Sequence, residues 1–168
     1  MAQFPVSFGV RLLHASVLED LSAEARSRPR LRMNANLHAM EDPVHRLLNA
    51  LEPGSWVRPH RHLDPPKDET YLVVRGALGL LLFEETGEVA STTLLTAGPD
   101  GTFGADIPAG VFHTVVALEP GTVFFEVKVG PYVPPSGADL PPWAPPEGDP
   151  AAIGYERELR ARFAAGRA

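Results

Sequence analysis

Three histidines and one glutamate stand in an order that suits a metal ion. His60 and His62 are one residue apart in "PHRHLDPPKDE", Glu69 closes that stretch, and His113 follows in "GVFHTVV". Side chains alternate faces along an extended strand, so Arg58, His60 and His62 share one face and Pro59 and Arg61 the other. Glu69 shares a face with Tyr71 and Val73, and His113 with Val111 and Val115. If these faces all point into one barrel, three imidazoles and a carboxylate converge, a donor set for a divalent transition metal. Positions left open on such an ion can take substrate or dioxygen. The competing reading is a polar surface loop around His60 and His62, with His113 a hydrogen-bonded core histidine.

Further side chains would complete a site. Arg58 either sits near a barrel mouth bonded to an acid, because a buried arginine is costly unpaired, or clamps a ligand carboxylate or phosphate by a two-pronged hydrogen bond. Glu126 alternates with Phe124 and Lys128 in "VFFEVKV". It is read first as the partner of Arg58, then as an outer support for a ligand histidine or a catalytic general base. Tyr71 donates a hydrogen bond to substrate or fills space. Trp56 walls the pocket or packs in the core. His38 is assigned to a strand edge, His45 to solvent, and His14 to the surface ahead of the first helix.

These residues need strands to position them. "SVLEDLSAEARSR" reads as a helix capped by Ser16 and stopped by Pro29, with Val17, Leu18, Leu21 and Ala25 as its apolar stripe. From there the pattern has period two. "RLRMNANLH", "PVHRLLNALEPG" and "SWVRPHRH" read as strands, and "TYLVVRGALGLLLFEETGEVASTTLLT" as three more, punctuated by Gly76 and by "EETGE". "AGPDGTFGADIPAG" is turn-rich with a short extended piece, and "VFHTVVALEPGTVFFEVKVG" reads as a hairpin around Glu119-Pro120-Gly121. Many short strands between Gly and Pro predict an all-β sandwich or barrel. A proline-rich stretch over 131–150 excludes a central strand or helix and predicts an extended wrap anchored by Trp143. A closing helix starts at Asp149-Pro150 and presents Tyr155, Leu159 and Phe163 on one face.

A chain of 168 residues suits one domain over 1–168: a helix within 14–30, a barrel over 31–130, and a proline-rich tail and helix over 131–168. The absence of cysteine removes disulfides, thiolate ligands and cysteine nucleophiles. A net charge of −6 argues against nucleic acid as a partner. No apolar run is long enough to cross a bilayer, and "MAQFPVSFGVRLLHAS" has no basic leader, so a cytoplasmic protein is expected.

Two stretches resemble the paired motifs of the cupin superfamily. "GSWVRPHRHLDPPKDETYLVVRG" places Gly54, His60, His62, Glu69 and Gly76 on the first motif, and "IPAGVFHTVVA" places Pro108, Gly110 and His113 on the second. The resemblance implies His60, His62, Glu69 and His113 as metal ligands in a cupin double-stranded β-helix, a jelly-roll barrel with short terminal helices. "RPRLRMNANLH", "DPVHRLLNALEPGSWVRPHRH", "TVVALEPGTVFFEVKVGPY" and "WAPPEGDPAA" narrow it to the WbuC-type cupin-fold metalloproteins, from about residue 16 onward. The sequence departs from the cupin pattern in three places. The loop "LDPPKD" lengthens the gap between His62 and Glu69, and Asp64 or Asp68 can compete as the carboxylate ligand. Ala117 stands where Asn is common, and the glycine usual before Pro108 is displaced.

The expectation is a metal-dependent enzyme with one divalent ion (Fe, Mn, Co, Ni or Zn). Its partner would be a small anionic or sugar-like molecule, and it would pair as a homodimer. The alternative is a non-catalytic module that binds or senses such a ligand.

Overall fold

The computed structural model describes residues 4–99, 101–135 and 137–164. A small hairpin, β1 (Val6–Ser7) with β2 (Val10–Arg11), precedes helix α1 (Ala15–Ser27). Eight strands follow: β3 (Arg32–Asn36), β4 (Val44–Leu51), β5 (Glu69–Arg75), β6 (Ala77–Phe83), β7 (Val89–Thr96), β8 (Gly104–Ile107), β9 (Phe112–Ala117) and β10 (Thr122–Val129). Helix α2 (Ala151–Ala161) comes last.

The strands form a five-stranded antiparallel sheet in the order β3-β4-β10-β5-β8 and a three-stranded one in the order β7-β6-β9. Leu51, Tyr71, Val73 and Phe124 of the first sheet pack against Leu78, Leu80, Leu95 and Val115 of the second. The result is the all-β jelly-roll barrel expected for a cupin, with the core between its two sheets.

Each helix covers the outer face of one sheet. Val17, Leu21 and Ala25 of α1 meet Leu48, Ala50 and Val123, and Ala152, Leu159 and Phe163 meet Leu81, Phe83, Phe112 and Val116. Strands buried on both faces explain why "ALGLLLF" is apolar without alternation: Leu78 and Leu80 face inward, Leu81 and Phe83 face α2. Two glycines permit this packing. Gly76 turns with φ of 76° from one sheet to the other, and a Cβ there would meet Thr122 Oγ1 at 2.6 Å. Gly79 lets the Phe163 ring lie on β6, where a Cβ would stand 2.5 Å from the ring.

Several local expectations are corrected. Helix α1 is shorter than 14–30 and is capped by His14, whose Nδ1 accepts from the Ser16 amide, rather than by Ser16. "SWVRPHRH" is extended but joins no ladder beyond a single bridge between His60 and His113; Pro59 has no amide hydrogen to donate. Strands β9 and β10 are not a hairpin, since β9 pairs with β6 and β10 with β4 and β5. His45 is buried, not solvated: its ring stacks on His38 at 3.9 Å and its Nε2 lies 3.1 Å from the Met40 carbonyl.

The proline-rich stretch wraps the barrel as expected. Trp143 packs on Phe83 and Phe112 and donates Nε1–H to the Glu85 carbonyl. At α2, the Asp149 carboxylate accepts from the Ala151 amide. The last four residues of the stretch assigned to this tail and helix, 165–168, lie outside the described residues. Among the described residues, no helix is long and apolar enough to cross a membrane.

Candidate metal centre

The four residues arrive from three places. Glu69 opens β5 and His113 sits in β9, while His60 and His62 lie on the irregular segment before β5. That segment is pinned to β9: the His60 amide donates to the His113 carbonyl (3.0 Å), the His113 amide to the His60 carbonyl (2.9 Å), and the Gly110 amide to the His62 carbonyl (3.0 Å). The Arg61 amide donates to the Asp139 carbonyl and the Leu63 amide to the Asp139 carboxylate, so the tail holds the other edge.

Ligand atoms of His60, Glu69 and His113 lie within 4.8 Å of one another. His62 stands at the rim of this group, its ring 5.2 Å from His60 and 6.4 Å from His113, with Nε2 3.0 Å from Glu69 Oε1. Glu69 is 1 % exposed and His113 2 %.

The imidazoles are oriented by their own backbone. His60 Nδ1 lies 3.0 Å from the Arg58 carbonyl and His113 Nδ1 2.9 Å from the Val111 carbonyl. A carbonyl only accepts, so both Nδ1 atoms carry a proton, and Nε2 is the atom each ring turns toward the centre. His113 Nε2 stands 3.0 Å from Glu69 Oε2. Two acceptors that close require a positive charge between them: a second proton, making His113 an imidazolium, or a metal ion. This arrangement, with outer carbonyls fixing the tautomer, fits a divalent ion. Burial, with the neighbouring His113 charge next, lowers His60 to about 3, so its ring is neutral near pH 7 and able to ligate.

Around Glu69 the remaining partners are donors. Tyr71 donates its hydroxyl to Glu69 Oε2 at 2.6 Å, and the Tyr71 hydroxyl oxygen itself lies 3.3 Å from His113 Nε2. Lys128 Nζ donates to Glu69 Oε1 at 2.9 Å and lies 2.5 Å from Glu126 Oε1. Burial raises the Glu69 carboxyl, but hydrogen bonds offered by His113 and His62 and the Lys128 charge override it and hold the group well below its ordinary value. Burial, then the Glu69 and Glu126 charges, push Tyr71 well above the usual phenol value. Burial works against the Lys128 charge, yet the Glu126 and Glu69 carboxylates raise it above the ordinary lysine value.

Other expected residues are placed differently. Glu126 does not pair with Arg58; it binds Lys128 and accepts from Asn49 Nδ2 at 2.7 Å. Arg58 donates Nη2–H to the Pro141 carbonyl at 2.8 Å, and its Nε is buried without a hydrogen-bond partner among the described residues. Asp64 and Asp68 are exposed, and Asp68 accepts from the Ala109 amide, so neither carboxylate joins His60, Glu69 and His113. Trp56 is a core residue, edge-on to Tyr155.

Two participants escaped the sequence reading. Lys128 alternates with Glu126, which was the available signal for its inward face. Asn49 was a lone amide in an apolar strand. Asn49 also lines a cleft of about 500 Å³ together with Arg28, Arg30, Arg32, Asn34 and Leu51. Register places Asn34 opposite Asn49, and Asn49 opposite Phe124, so the cleft shares the inner face of the large sheet with Glu126.

A family model described as a domain of unknown function, DUF6016, matches residues 13–95. No curated protein matches the sequence. A conserved Streptococcus pyogenes protein of unknown function is similar in structure, with TM-score 0.51 and 14 % identity over 79 % of this chain and 98 % of that one. KdgF from a Halomonas species gives 0.49 and 20 % over 63 % and 84 %, and a cupin-2 domain containing protein from Shewanella frigidimarina gives 0.44 and 20 % over 58 % and 80 %. The chain has an all-β jelly-roll fold, with a His, Glu, His cluster inside the barrel that can hold a metal.

Proposed function

We propose that this chain is a WbuC-type cupin metalloenzyme, cytoplasmic, acting on a small organic acid or sugar-derived acid. His60, His62, Glu69 and His113 would hold one divalent ion, of Fe, Mn, Co, Ni or Zn. The observation that carries the reading is the buried approach of His113 Nε2 to Glu69 Oε2 at 3.0 Å, with the Nδ1 proton committed to Val111. Bound there, the ion supplies Lewis acidity toward a substrate oxygen, water or dioxygen.

The chain's own residues do the rest. The Arg58 and Val111 carbonyls fix the rings. Tyr71, held protonated, keeps a proton at its oxygen between Glu69 and His113 and can lend it to a substrate oxygen. Arg58, with an unused buried Nε–H, and the arginines of the cleft beside Asn49 suit a carboxylate or phosphate. Glu126 reaches that cleft through Asn49 and is the candidate general base.

The direct test loads the protein with each metal and screens small organic acids and sugars with and without oxygen. Turnover that disappears in His60→Ala is expected; none with any metal would contradict it. A second reading, a non-catalytic ligand-binding or sensing module, is favoured by one feature: His62, Lys128, Tyr71 and His113 all stand against the Glu69 carboxylate. Saturable ligand binding without turnover would select it.

The homodimer has a candidate surface in the first hairpin, where Val6, Phe8, Val10, Leu12 and Leu13 are exposed, an apolar patch of the kind that marks contact sites. Light scattering tests it.

A further inference from the structure

We propose that Lys128 is a built-in counter-cation: it holds the Glu69 carboxylate while the site is free of metal and so sets how tightly an ion is taken up. The inference rests on the metal reading above.

Register places Lys128 directly opposite Glu69 and Glu126 opposite Tyr71 on neighbouring strands. The Lys128 ammonium therefore reaches both carboxylates, 2.9 Å from Glu69 Oε1 and 2.5 Å from Glu126 Oε1. A carboxylate as enclosed as Glu69 needs a positive partner, because an unpaired buried charge is strongly disfavoured. Among the described residues Glu69 is met by His62, His113, Tyr71 and Lys128, and Lys128 is the one with a permanent charge near pH 7.

A divalent ion arriving at Glu69 meets that ammonium on the same carboxylate. Like charges this close repel strongly in a partly enclosed site, so uptake requires Lys128 to loosen its hold on Oε1. Glu126 gives it somewhere to stay. Its other oxygen is anchored by Asn49 at 2.7 Å, so it keeps its place whether or not Glu69 is engaged. Lys128 thus competes with the metal, and Glu126 draws Lys128 away from the competition.

The two residues should act with opposite sign. Lys128→Met removes the competitor and should tighten metal binding at least tenfold. Glu126→Gln leaves the ammonium to Glu69 alone and should weaken binding severalfold. In the double variant the Glu126→Gln effect should vanish, since Glu126 acts through Lys128. A purely packing role would move both single variants the same way. A direct field from Glu126 on the ion would persist in the double variant.

The experiment titrates metal-free, full-length protein with Co²⁺, read by calorimetry and by the cobalt absorption bands. Lys128→Gln, which keeps hydrogen-bond donors without charge, repeats the test should Lys128→Met not fold. Opposite signs that collapse in the double variant support the proposal. So does uptake by Lys128→Met where wild type takes up none. Wild-type binding with unchanged affinity in both Lys128 variants, or a Glu126→Gln effect intact in the double variant, overturns the proposal and leaves the metal reading standing. No Co²⁺ uptake by any variant overturns both.

Discussion

His113 Nε2 stands 3.0 Å from Glu69 Oε2 while His113 Nδ1 is given to the Val111 carbonyl. The pair joins β9 of one sheet to β5 of the other across the barrel, so the electrostatics of the site and the closure of the barrel meet in one contact. Removing either side chain should separate the two roles.

Glu69→Gln and His113→Ala each delete a ligand. Metal affinity should fall by more than about 100-fold, beyond the loss expected for an outer partner. Equilibrium dialysis with elemental analysis reads it, and circular dichroism checks that the barrel persists.

Tyr71→Phe removes the hydroxyl that donates to Glu69 Oε2 at 2.6 Å. Leaving a buried carboxylate oxygen short of a donor should cost about 1–3 kcal/mol in the metal-free protein. Urea unfolding at neutral pH measures it, and added metal should offset part of the loss.

His60 contributes to the acid side of the stability profile. Burial, with the His113 charge next, lowers the folded value to about 3, against about 6.5 for imidazole in an unfolded chain. Below pH 6.5 the unfolded chain binds a proton that the folded one refuses, so this contribution to stability is full above pH 6.5 and declines toward pH 3. Thermal melts of the metal-free protein should fall across that window, and His60→Gln should flatten the slope.

Gly79→Ala tests the seat of the second helix. Its new Cβ would lie 2.5 Å from the Phe163 ring, and overpacking of this kind costs about 1–3 kcal/mol. Phe163→Leu in the same chain should recover part of it.

The site was more legible than the connections around it. Period two put Glu69 with Tyr71 and Glu126 with Lys128 on shared faces, because a strand alternates its side chains wherever it is placed. The turn at Glu119-Pro120-Gly121 was also legible, but a turn says nothing about which sheet receives each arm; β9 and β10 part because each buries its apolar face against a different partner. His45 beside Asp42-Pro43 looks solvated in sequence, but the stack on His38, the Met40 carbonyl and the close approach of Gly130 enclose it. In the sequence Arg58 suits either an acid or a ligand anion, yet its guanidinium meets a carbonyl of the proline-rich tail at Pro141, far along the chain. Lys128 was in view on the right face, but a lysine in a strand says nothing of a carboxylate on the adjacent strand until register pairs them.

The most direct measurement is an anomalous-diffraction map of crystals of the metal-loaded protein, collected at the absorption edge of the bound ion. One peak is expected among His60, His62, Glu69 and His113, at about 2.0–2.2 Å from imidazole nitrogen and carboxylate oxygen, absent from Glu69→Gln crystals. A peak elsewhere on the chain, or a peak unchanged in Glu69→Gln, would contradict it.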